Sequence, residues 1–224
     1  MASALAGHRA RTPAPPRRAR TLRAVHEGLQ AVASPGDRGL LDAALRSLSL
    51  RDRTMAGHSI AVARYARELA VAAGASRDEQ QAVHTAGLLH DIGKVILPDS
   101  ILHAERELCE RDWDLVRRHP GAGAEIVARV PGHDSVAVAI LHHHERIDGT
   151  GYPDGLSGDD IPWVSRVISV ADTYDVMTAR DSYNRPKPVA AAVAELHRVA
   201  GSQLDAQLVG TFVDLRLDRR LAAC

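Results

Sequence analysis

Seven residues carry the side chains that can close around metal ions: His58, His90, Asp91, His119, His143, His144 and Asp172. They stand in short separated fragments, AGHS, LLHDIGK, RRHP, HHERIDGTGYP and SVADTYD. Neutral imidazole completes the shell of a divalent transition metal, and a carboxylate can bridge two such ions. A pair of ions lowers the pKa of a bound water and clamps the charge of an in-line displacement at phosphorus. Each fragment alone is a weak signal. Together, in this order, they argue for metal-dependent hydrolysis of a phosphate ester.

His90 and Asp91 are adjacent, and neighbouring side chains on a helix diverge by about 100°. Either both serve one ion at a helix end, or Asp91 reaches across to a second ion. Lys94 is three residues after Asp91 and four after His90, on the same helical face. Its ammonium repels a bare ion and favours a phosphate oxygen or a leaving oxyanion. His142, His143 and His144 close an otherwise apolar stretch, and three imidazoles are costly to bury without partners. Asp172 lies among Val170, Ala171 and Val176 and needs a cation or donors. Asp175, on the same helix, could orient a ligand imidazole. His58 and His119 read alone as capping or surface histidines; membership in the set gives them weight.

The elements that must position these groups read as helices throughout. Val62, Tyr65, Ala66, Leu69 and Ala73 recur at three- and four-residue spacing over 58–73, ending at Gly74. Ser76 and Glu79 form a capping box for a helix that carries Val83, Ala86, Leu89 and His90 and ends near Gly93. Further helices are expected at 112–118, 121–130, 134–144, 162–180, 188–200 and 206–216. Residues 145–160 form the longest irregular segment, and a loop of that length in a compact domain is usually functional. No strand alternation or repeat is visible. The expected class is all-α, one compact helical domain over 51–216.

Outside it, residues 1–20 read as a disordered basic tail, 21–50 as a short helical extension and 217–224 as a C-terminal tail. Two Trp, four Tyr and one Phe leave the core to Ala, Val and Leu, which suits closely packed helices. Net charge is zero, so bulk charge selects neither nucleic acid nor membrane, and neither is an expected partner. Of the 28 basic residues only Lys94 and Lys187 are lysines, which makes a lysine inside the LLHDIGK motif notable. Cys109 and Cys224 form no disulfide framework, no stretch resembles a signal peptide or membrane span, and the expected location is the cytoplasm.

Assembled, these motifs resemble the HD-GYP branch of the HD-domain metal-dependent phosphohydrolases. The matching pieces are GHS at 57–59, LLHDIGK at 88–94, HP at 119–120 and HHERIDGTGYPDGL at 143–156. IP at 161–162, VADTYDVMT at 170–178 and GSQLD at 201–205 follow. The resemblance implies an all-helical fold, two or three Fe or Mn ions, and hydrolysis of cyclic di-GMP to linear pGpG or on to GMP. It also implies His58, His90, Asp91, His119, His143, His144 and Asp172 as ligands. Asp91 is then the bridge and a hydroxide between the ions the nucleophile. Lys94 contacts the scissile phosphate or a bound water. Asp148, Gly149, Gly151, Tyr152 and Pro153 form the loop beside the site, which suggests a diguanylate cyclase as a partner docking there.

Two departures stand out. The family's third-metal glutamate corresponds here to Thr54, which points to two ions. Where the family reads RPYR, this chain has Asp181-Ser182-Tyr183-Asn184, with Arg180 and Arg185 each displaced by one position. Those two arginines, with Lys94 and Tyr152, are the expected substrate contacts. The displacement keeps open another cyclic dinucleotide or nucleotide as substrate, and a catalytically idle signalling module is the alternative of a different class. The segment 21–50 could also mediate a homodimer.

Overall fold

A computed structural model describes residues 52–179 and 186–221, together with the helical positions Ala43, Arg46 and Leu50. The expected tail 1–20, most of the expected extension 21–50, Arg180, Asp181–Arg185 and Cys224 lie outside the described residues. The described residues form helices and no strand; one isolated bridge pairs Ala200 with Leu204.

Helix α1 (Arg53–Ala72) begins where the Asp52 carboxylate accepts the Thr54 N–H at 2.8 Å, five residues before the expected start at 58. Its inner stripe of Val62, Ala63, Ala66, Leu69 and Ala70 is fully buried. Helix α2 (Arg77–Leu89) starts on the expected capping box: Ser76 Oγ accepts from Glu79 N, and Glu79 accepts from Ser76 N. The two helices pack closely because both are small where they cross. A Cβ at Gly87 would stand 2.7 Å from Ala63 Cα. This is how a chain poor in aromatics builds a dense core.

The chain then makes a 3₁₀ turn over Ile92–Ile96, a single-turn helix α3 (Asp99–Leu102) and α4 (Glu110–Val116). Met55, Leu97 and Leu102 pack with Leu115 and Val116 in a small separate core beneath them. Helices α5 (His119–Val127) and α6 (Asp134–Leu141) follow, then the long connection, α7 (Trp163–Thr178), α8 (Val189–Val199) and α9 (Ala206–Leu221). α2 lies against α1, α6 and α7. α9 closes on α1 through Phe212, fully buried against Tyr65 and Tyr174. It runs to Leu221, past the expected end at 216, so the first part of the expected 217–224 tail is helical.

Three expectations need correction. α3 has no counterpart in the sequence reading, since four residues after a proline carry no readable period. α2 stops at Leu89 rather than near Gly93, and α6 stops at Leu141 rather than at 144. Both early stops come from the histidines that follow.

Candidate metal centre

His90, His119 and His143 each stand just past a helix and bond back to it. His90 Nδ1 is 2.8 Å from the Gly87 carbonyl, His119 Nδ1 2.7 Å from that of Val116, and His143 Nδ1 2.6 Å from that of Ile140. These carbonyls belong to the last turns of α2, α4 and α6, where no further helical N–H follows to take them. A carbonyl only accepts, so each Nδ1 must carry the proton and each Nε2 presents a lone pair. The capping bond that ends the helix therefore also fixes the tautomer that a metal requires.

The Nε2 atoms of His119 and His143 are buried and accept no hydrogen bond from the protein. A buried acceptor left so is unfavourable unless a cation takes it. His119, His143 and His144 have ligand atoms within 4.8 Å of one another, and His58, His90 and Asp172 form a second such group. Asp91 stands between them. Its Oδ1 is 3.4 Å from His119 Nε2, while Oδ2 is 3.4 Å from His90 Nε2 and 3.7 Å from His58 Nε2. Adjacency of His90 and Asp91 is resolved by the chain leaving the helix between them: His90 caps α2 and Asp91 opens the 3₁₀ turn. Two clusters with a shared carboxylate fit two divalent ions. Lys94 Nζ lies 2.7 Å from Asp91 Oδ2.

His58 differs from the other histidines. Its Nδ1 meets a carboxylate, Asp175 Oδ2 at 2.8 Å, and its Nε2 is 3.1 Å from Asp172 Oδ1. Burial alone would lower its pKa, but the hydrogen bonds to Asp172 and Asp175 outweigh it and raise the group to about 10. Burial and the neighbouring imidazoles push His143 far down, and burial with the nearby His119 takes His144 to about 3. Burial also opposes the charge on Asp91, yet Lys94 and His90 hold that carboxyl well below its ordinary value.

The two clusters should therefore load differently. At pH 7 an ion entering at His58 must expel a proton, whereas His143 and His144 are already neutral. Affinity at the His58 cluster is expected to rise about tenfold per pH unit up to about pH 10. Affinity set by His143 and His144 should stay nearly flat across that range. Calorimetric titration with Mn in buffers of different ionisation enthalpy measures the proton release; equal proton counts for both ions would contradict this assignment. The sign for the unliganded fold is opposite. The raised His58 stabilises it fully below pH 6.5, and that contribution is lost as pH rises through about 10.

The long connection is built onto the centre. Glu145 is buried, and its Oε1 accepts the N–H of Asp154 at 2.7 Å and of Gly155 at 3.1 Å. His142 Nε2 meets Asp154 Oδ2 at 3.0 Å. Arg146 grips Asp148 through Nη2 at 2.7 Å, and Thr150 donates to the same carboxylate. The GSQLD turn receives the other side: the carbonyls of Ser202 and Gln203 accept the N–H groups of Asp148 and Ile147 at 2.8 and 3.3 Å. Gly151 lies so close to the backbone of Glu145 and Arg146 that a Cβ would come within 2.5 Å of both. The loop thus lays the Tyr152 ring beside His144, centroids 4.9 Å apart. Asp148, Gly149 and Pro153 shape the loop around Tyr152.

A family model described as "HD domain" matches residues 43–208. The chain belongs to the HD-domain family. Its HHERIDGTGYP signature places it in the HD-GYP branch. It is 36% identical over 165 residues to "3'3'-cGAMP-specific phosphodiesterase 2" of Vibrio cholerae, a match covering 73% of this chain and 32% of that protein. It is 33% identical over 175 residues to "Cyclic di-GMP phosphodiesterase response regulator RpfG" of Xanthomonas campestris, covering 77% and 46%. The chain thus spans a third to a half of the length of these relatives. A solved HDG"Y"P protein from Bdellovibrio bacteriovorus shares the fold, with a TM-score of 0.64 at 21% identity, covering 88% of this chain and 69% of that one. Among the described residues no helix is long and apolar enough to cross a membrane.

The seven residues expected from the sequence as ligands lie near one another in this HD-GYP chain, and Asp175 contacts the His58 ring. Glu145 was not among the expected site residues, although it directly follows His144 and is the first acid of the 145–160 segment. Nor was Ser169, three residues before Asp172, whose Oγ donates to the His143 carbonyl at 2.6 Å. That bond ties the helix bearing Asp172 to the peptide bearing His143. Arg180 and Arg185, expected at the substrate, lie outside the described residues.

Proposed function

We propose that this HD-GYP chain is a metal-dependent phosphodiesterase that opens a cyclic dinucleotide, with cyclic di-GMP the leading substrate and pGpG or GMP the product. The observation that carries it is the Asp91 carboxylate set between two ligand clusters, one oxygen toward each. The donors are imidazole and carboxylate without thiolate, a set suited to Fe or Mn. His58, His90 and Asp172 would hold one ion and His119, His143 and His144 the other. When bound, such a pair supplies an activated water at neutral pH and a clamp for the phosphoryl oxygens.

The chain's own groups do the rest. Burial disfavours the Lys94 ammonium, but Asp91 and Asp172 raise its pKa, so it stays charged. From 2.7 Å off Asp91 it can turn to a phosphoryl oxygen as negative charge grows there. Asp175 holds the His58 ring in place from behind. A cleft of about 440 Å³ opens at His143, His144 and Asp172 and receives the substrate.

A second reading has its own support. The relative that matches at 36% is specific for 3'3'-cGAMP, and the Asp181–Asn184 segment departs from the family pattern. Protein loaded anaerobically with Mn or Fe should be assayed on cyclic di-GMP, 3'3'-cGAMP and cyclic di-AMP, with products separated by chromatography. Metal-dependent turnover fastest on cyclic di-GMP is the expected result. Preference for 3'3'-cGAMP would favour the second reading. Two bound ions with no turnover of any would sink the phosphodiesterase and leave an idle module.

A further inference from the structure

A cyclic dinucleotide carries two phosphodiester groups, and while one reacts the other must be held elsewhere. The cleft that begins at His144 and Asp172 is also lined by Arg146, Lys187, Glu195 and Gln203. Two of these residues are cations. Arg146 is already committed, with Nε and Nη2 both on the Asp148 carboxylate. Lys187 is exposed and is in no ion pair with any described residue. Glu195, its acidic neighbour in the cleft, is forked onto Arg198 at 2.6 and 2.9 Å.

The position of Lys187 is fixed even though its ammonium is not. Its N–H donates to the Met177 carbonyl at 2.7 Å, which straps the residue to the last turn of α7. Met177 lies five residues beyond Asp172 on that helix, roughly 7.5 Å along the axis at the usual rise. From this point Lys187 lines the same cleft as His143, His144 and Asp172. The chain otherwise uses arginine; of its two lysines, Lys94 stands at Asp91 and Lys187 lines this cleft.

We infer that Lys187 binds the second, non-reacting phosphate of the cyclic dinucleotide and so sets affinity for a substrate with two phosphates. The inference rests on the phosphodiesterase reading above. It is tested on Mn-loaded protein with Lys187→Ala, comparing cyclic di-GMP with bis(p-nitrophenyl) phosphate, a diester with a single phosphate. KM for cyclic di-GMP is expected to rise about 10-fold with kcat changed less than about 2-fold, the loss of one charged contact made equally in ground and transition states. For the single-phosphate ester, kcat/KM should change less than about 2-fold. Lys187→Arg should recover most of the lost affinity. An unchanged KM for cyclic di-GMP, or an equal loss on both substrates, overturns the inference while the phosphodiesterase stands. A wild-type protein that cleaves the single-phosphate ester but no cyclic dinucleotide overturns the substrate reading, and the role of Lys187 with it.

Discussion

Asp91→Asn is expected to leave the fold standing, reduce bound metal from two ions to one or fewer, and lower turnover by about 1,000-fold or more, the scale on which single groups at a reacting centre act. The substitution keeps the size of the side chain and removes what distinguishes it. The carboxylate offers Oδ1 toward His119 at 3.4 Å and Oδ2 toward His90 at 3.4 Å. An amide has one acceptor, so one cluster must face an NH₂ group that cannot ligate. The charge is lost as well, so two divalent ions would share the imidazoles and Asp172 with one anion fewer, and Lys94 loses its nearest partner. Metal analysis beside far-UV circular dichroism and a turnover assay reads all three outcomes. Wild-type metal content with wild-type turnover would remove Asp91 from the bridging role.

Why the centre was legible while its framework was less so follows from what each depends on. Ligand chemistry is restricted to a few residue types, so His58, His90, Asp91, His119, His143, His144 and Asp172 could be gathered from the chain by type and order. The Ser76–Glu79 box and the 145–160 loop were legible for the same reason, because capping oxygens and Gly-Asp-Pro clusters have local causes. Helix ends at the centre do not. Apolar periodicity carries α2 on through Ile92 and α6 into the histidine triplet. The actual stops are set by imidazoles folding back to the carbonyls of Gly87 and Ile140. The role of Glu145 was hidden because its partners, the Asp154 and Gly155 amides, come close only once the loop turns. The tie between α7 and His143 through Ser169 spans 26 residues and leaves no local trace.

Gly93 is where that framework can be broken most directly. It lies in the 3₁₀ turn two residues after Asp91, and a Cβ there would overlap the His119 carbonyl oxygen and stand 2.5 Å from Gly123 N. Both obstacles are backbone of α5, so no side chain can rotate aside, and Gly93→Ala must push the turn and the helix apart. Overpacking of this kind costs about 1–3 kcal/mol, and more where backbone meets backbone. The same displacement acts on the 3.4 Å approach of Asp91 Oδ1 to His119 Nε2, so metal should be lost together with stability. Gly121 provides the internal control. It lies in the same helix, and a Cβ there meets nothing within 4 Å. Gly121→Ala should therefore gain the roughly 1 kcal/mol by which alanine exceeds glycine as a helix former. For a domain of this size each kcal/mol moves Tm by about 2–4 °C. Thermal unfolding with and without Mn should show Gly93→Ala falling by several degrees, with a smaller stabilisation by metal, and Gly121→Ala rising. If Gly93→Ala instead melted with the wild type and kept both ions, the close approach of the turn to α5 would not be what sets the distance from Asp91 to His119.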